Sequence, residues 1–152
     1  MTAGDREKLR KIARELWSIA EGQAARDIPW PISPDAQQLD YLALANAEIR
    51  RRQARREAFP DKFLREPAWD ILLALFARQL EGKRSTSKLA HHAAGIPGTT
   101  ALRWLDHLVS EGLISRKTSP EDNRCTDLIL TASGAQRIAS ALEHMTKAEN
   151  KT

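Results

Sequence analysis

Two short stretches of this 152-residue chain carry side chains whose types and spacing suit the gripping of a polyanion. The first holds Thr99, Thr100, Leu102 and Arg103. Hydroxyls and open backbone amides at a helix N-terminus suit phosphate oxygens or base edges. An Arg fork matches guanine O6 and N7 in a major groove, and Leu102 suits thymine methyls. An ion pair between Arg103 and Asp106 on the same face is the competing, structural use of that arginine. The second stretch is Asp122-Asn123-Arg124. An acid and an arginine two apart share one face of an extended strand, so the Asp122 carboxylate can orient the Arg124 guanidinium. An oriented arginine at a hairpin tip fits a narrow, electronegative minor groove. A purely structural Asp-Arg clasp is the alternative. Arg116 and Lys117, on the partner strand, add cations for the phosphate backbone.

No comparable case exists for catalysis. His91, His92, His107 and His144 do not form a metal-ligand spacing with any cysteine, and no Gly-rich phosphate loop, activated nucleophile or carboxylate pair emerges. A non-enzymatic protein without a cofactor is expected. His91 and His92 fall on a short helix, where one is expected exposed and the other partly packed. The single cysteine, Cys125, excludes an internal disulfide framework and fits a reducing compartment. Its place after the wing arginine admits a redox-sensing role, although a lone strand cysteine is more often inert.

These residues need elements to hold them. Ser87 to Ala94 reads as a short helix, Gly95 as its stop, and about Thr99 to Glu111 as a longer helix. Within the longer helix, Ala101, Leu105 and Leu108 recur at core spacing and are expected to face Leu89 and Ala93. Trp104 falls at the boundary between core and surface. After Gly112, Leu113–Lys117 and Asp127–Leu130 are short β-prone runs around a charged, turn-rich segment, which predicts a hairpin. Two helices at a tight turn followed by such a ribbon make a winged helix-turn-helix.

Upstream, Leu9, Ile12, Ala13, Leu16, Trp17 and Ala20 mark an amphipathic helix over 5–22. Three prolines in Ile28–Pro34 make an extended linker. Ser33 or Asp35 caps a second helix over 35–59, whose C-terminal half holds the arginine run 50–56. That run reads as a solvated or ion-paired face, a phosphate contact or a contact for a protein partner. Pro67 opens a helix with Trp69, Leu72, Leu73, Phe76 and Leu80 on its apolar stripe; the i, i+7 pair Trp69 and Phe76 is expected in the core, not stacking a ligand. A last amphipathic helix carries Ala135, Ile138, Ala139, Leu142 and Met145, and requires cover from the first helices or from a second copy.

The net charge of +4 is a modest basic bias that suits a polyanion but equally an ordinary soluble protein. The charged N-terminus lacks the apolar run of a signal peptide, and no stretch approaches the ~20 apolar residues of a membrane helix. A cytoplasmic location without membrane contact is expected, where the sequon Asn150-Lys151-Thr152 has no glycosylation meaning.

The stretch from Ser85 to Gly134 resembles the DNA-binding core of the MarR family (multiple-antibiotic-resistance regulators). The elements that carry the likeness are Leu89-Ala90, the helix ending in Leu108, Glu111-Gly112-Leu113-Ile114, Asp122 with Arg124, and Leu128, Leu130, Thr131 and Gly134. Together they cover roughly residues 67 to 145, about half the chain. The resemblance implies a homodimer that binds operator duplexes, usually as a repressor. It assigns the minor-groove role to Arg124, supported by Asp122, and the major-groove face to residues near Thr99–Arg103. MarR-like chains dimerise through an N-terminal helix interlaced with two C-terminal helices. Here one C-terminal helix is readable and about 60 residues precede the core, so the N-terminal helices are expected to rebuild that interface. Any small-molecule effector stays unspecified.

The expectation is thus a mainly α chain with a small β-ribbon: a winged helix-turn-helix core with N- and C-terminal helical extensions. Residues 1–59 form the dimerising extension, 60–134 the DNA-binding domain and 135–152 the C-terminal helix. The expected function is sequence-specific binding of double-stranded DNA in transcription regulation. The competing reading is a winged-helix protein-interaction module whose basic helix 35–59 docks an acidic partner.

Overall fold

Helix-forming runs punctuated by glycine and proline give, among the described residues, six α-helices and one two-stranded ribbon. The computed structural model describes residues 2–20, 36–118 and 124–151. The order is α1 (Ala3–Ala20), α2 (Ala36–Ala58), a single 3-10 turn (Asp61–Phe63), α3 (Pro67–Leu80), α4 (Ser87–Ala94), α5 (Gly98–Ser110), β1 (Ile114–Thr118), β2 (Thr126–Leu130) and α6 (Ala132–Glu149). This is the mainly α, winged helix-turn-helix architecture expected from the sequence. The proline linker and the candidate caps of α2, Ser33 or Asp35, lie outside the described residues.

The apolar stripe of α3 makes it the hub. Ile71, Leu73, Leu75 and Phe76 are fully buried, and α2, α4, α5, α6 and β2 all pack around this helix. Burying each such side chain contributes about 1.5–3 kcal/mol. Phe76 meets Tyr41 of α2 edge to face at 6.4 Å between ring centroids, while Trp69 is half-buried at the margin of the same core. Both rings therefore serve packing.

The arginine run of α2 is partly consumed in holding that helix to α3. Arg52 is 4% exposed, and its Nε donates to Asp70 at 2.6 Å while its Nη1 bonds Glu66. Arg56, one turn on, bonds the other Asp70 oxygen. Burial works against the Arg52 charge, but hydrogen bonds from it to Asp70 and Glu66, and their charges, outweigh it and hold the guanidinium pKa above its ordinary value. Arg51 pairs with Glu149 of α6 at 2.8 Å, and Arg50 and Arg55 are exposed.

Helix α6 finds its cover within the same chain: Ala135, Ile138, Ala139 and Leu142 are buried, and the helix packs on α2, α3 and β2. Tyr41 donates to Glu143 across the α2–α6 contact. Helix α1 differs. Thr2 and Asp5 cap its start reciprocally, with Thr2 N–H to Asp5 at 2.9 Å and Asp5 N–H to Thr2 Oγ1 at 3.2 Å. Leu9 and Ile12 on its apolar stripe nevertheless remain exposed.

Candidate nucleic-acid interface

The turn between α4 and α5 is fixed by a left-handed residue and a buried anchor. Gly95 adopts φ 61°, a conformation that costs glycine nothing sterically, and donates its N–H to His91 O at 3.1 Å. Ile96 beside it is buried, and its carbonyl accepts from His91 Nδ1. His91 is thus half-buried and structural, and His92 is exposed. The packing of α4 differs from expectation. Ala90 and Ala94 are the buried residues, whereas Leu89 and Ala93 are only half-buried; eight residues define too few turns for periodicity to fix the inward face.

Helix α5 begins at Gly98 without a side-chain cap. Its first main-chain bond is Ala101 N–H to Pro97 O at 2.9 Å, so the amides of residues 98–100 have no partner within the helix. Ala101, Leu105 and Leu108 are buried as their spacing requires. The other side exposes Thr99, Thr100, Leu102, Arg103, Asp106 and His107. Trp104 is half-buried between the two sides, its ring 6.0 Å from that of His107. Arg103 makes no hydrogen bond or ion pair among the described residues. The Asp106 carboxylate, its local competitor, binds Arg116 of β1 instead, at 2.7 Å.

The ribbon is antiparallel, with Ile114 opposite Leu130, Arg116 opposite Leu128 and Lys117 opposite Asp127. Ile114, Leu128 and Leu130 point into the core, while Arg116, Lys117 and, at the start of the return, Arg124 are exposed. Asp122 lies outside the described residues, so its pairing with Arg124 does too. The base of the ribbon is fastened to the segment ahead of α4: Leu128 N–H donates to Ser85 O at 2.8 Å, and Arg84 grips Asp127 through contacts of 3.0–3.2 Å.

The structure thus gathers Thr99, Thr100, Leu102 and Arg103 on one exposed helical side and joins Arg116 to that helix through Asp106. Lys117 and Arg124 belong to the ribbon that Arg84 and Asp127 anchor. Sequence reasoning missed the Arg84–Asp127 and Asp106–Arg116 links. Both join elements distant in sequence, and register alone would have suggested Lys117 for Asp127. Among the described residues no cluster of three or more His, Cys, Asp or Glu could hold a metal, and none of the helices is long and apolar enough to cross a membrane. Cys125 is exposed.

Solved structures of similar shape bear out the fold. The DNA complex of MepR from S. aureus is 22% identical with a TM-score of 0.50, over 69% of this chain and 81% of that one. MepR from S. aureus in its DNA-binding conformation is 19% identical, also at 0.50, over 77% and 82%. At such identities the likeness establishes the winged-helix fold alone. No family model matches the sequence, and no curated protein does so significantly.

Proposed function

We propose that this chain binds double-stranded DNA and regulates transcription, with α5 in a major groove and the ribbon tip along the neighbouring minor groove. One observation carries the reading: α5 buries one side completely while presenting threonines, an uncapped N-terminus and an Arg103 with no partner among the described residues on the other. A cationic side chain left without a carboxylate, beside open amides, is suited to phosphate and base edges. The neighbour named above as a DNA complex has the same fold, which supports the assignment. In this reading Thr99 and Thr100 contact the backbone or base edges, Leu102 packs on thymine methyls and Arg103 reads guanine. Arg116 and Lys117 meet phosphates, and Arg124, supported by Asp122, enters the minor groove.

The finer reading is a cytoplasmic homodimeric repressor with half-sites about one helical turn apart. Exposed Leu9 and Ile12 on α1 favour a second copy as their cover. The acidic-partner alternative is weakened by the ion pairs of Arg52 and Arg56 with Asp70, which remove two cations from the surface it would use. Selecting bound duplexes from a random pool tests the proposal. Arg103→Ala should then relax preference at one or two positions at a cost of about 1–3 kcal/mol. Failure to enrich any sequence would refute sequence-specific binding.

A further inference from the structure

Asp106 is the one acid in α5, and helix stability does not explain it. Aspartate is a poor helix former, and this one sits past the helix midpoint, away from the first turn where the dipole favours an anion. Burial does not explain it either, because its side chain is 66% exposed. It shares the outward side with Arg103, where a duplex phosphate would repel it. Its partner is Arg116 of the ribbon.

The ribbon does not need this pair for its placement. Asp127, 17% exposed, already ties β2 to Arg84, reinforced by the Leu128–Ser85 backbone bond. The Arg84–Asp127 pair is an anchor; the Asp106–Arg116 pair is solvent-screened and exchangeable. A phosphate offers a guanidinium the same acceptor geometry as a carboxylate.

We propose that Asp106 is an internal stand-in for a DNA phosphate, holding Arg116 in the free protein and surrendering it to the backbone of a bound duplex. The inference rests on the duplex-binding reading above. The exchange moves Arg116 from the Asp106 carboxylate to a phosphate oxygen, and Asp106 takes a cation from solvent. Asp106 therefore weakens binding to all sequences alike, leaving discrimination to base contacts such as that of Arg103.

The prediction is quantitative. A free cation that neutralises one phosphate steepens the log–log salt dependence by about 0.9. In the wild type that contribution is offset by the cation Asp106 acquires. Fluorescence anisotropy of a random-sequence duplex and of a selected duplex, at about 50 to 200 mM salt, should show Asp106→Asn binding both about two- to fivefold more tightly, with a steeper slope by up to about 0.9. Asp106→Glu should stay close to wild type. In an Arg116→Gln background the effect of Asp106→Asn on slope should vanish. Circular dichroism of each variant checks that the exposed substitution leaves the fold intact. Unchanged affinity and slope would overturn the exchange. So would weakened binding confined to the selected duplex, which would make Asp106 a reader of cytosine N4. In both cases the wild type still binds DNA. A wild type with no salt-dependent duplex binding would overturn the DNA reading itself, and the exchange with it.

Discussion

Gly134, in the first turn of α6, packs directly against the backbone of Leu113, the residue ahead of β1. A Cβ there would stand 2.1 Å from the Leu113 carbonyl oxygen and 2.9 Å from its carbon. Both obstacles are backbone, so no side chain can rotate away. To restore ordinary contact the helix start must retreat by roughly 1 Å, the kind of displacement that overpacking imposes. That retreat strains Thr131, which joins the same two segments: its N–H donates to Leu113 O at 3.0 Å, its hydroxyl donates to Gly112 O at 2.6 Å and accepts from Gly134 N at 3.0 Å. Overpacking costs about 1–3 kcal/mol, and each weakened bond up to about 1 kcal/mol. The helix gains about 1 kcal/mol from alanine. Gly134→Ala should therefore destabilise by about 2–3 kcal/mol and lower Tm by roughly 5–10 °C. Gly98→Ala is the internal control. Nothing lies within 4 Å of its added Cβ, so the same substitution should stabilise by about 0.4–1 kcal/mol. Urea and thermal unfolding followed by circular dichroism measure both. Equal effects of the two changes, or a stabilised Gly134→Ala, would refute the reasoning.

Other outcomes follow from the ion pairs. Asp70→Asn leaves the buried Arg52 and its neighbour Arg56 without their shared carboxylate, and should lower unfolding free energy by about 3–5 kcal/mol in urea titration. Asp127→Asn releases the ribbon from Arg84. In anisotropy titrations it should weaken duplex binding severalfold, because the ribbon's cations lose their fixed position.

Local signals were legible in the chain and cross-element ones were not. The bounds of α4 followed from the Gly95 stop, and the buried side of α5 followed from Ala101, Leu105 and Leu108, because a 3.6-residue period over more than three turns leaves one solution. Thr131 and Gly134 were readable as a motif, but their reason is the approach of α6 to Leu113, which no local pattern encodes. The arginine run announced positive charge; that Arg52 is buried against Asp70 depends on how α2 crosses α3. Asp106 shows the limit most clearly. The i, i+3 rule offers it Arg103, yet the fold brings Arg116 from the ribbon to 2.7 Å, leaving Arg103 available on the candidate surface.

Amide chemical-shift mapping with a short duplex tests most directly whether α5 and the ribbon form one DNA-facing surface. The account predicts that the largest changes fall on residues 98–103 and on Arg116, Lys117 and Arg124, with α1 and the arginine run of α2 little affected. Changes centred on Arg50–Arg56, or none at low salt, would contradict it.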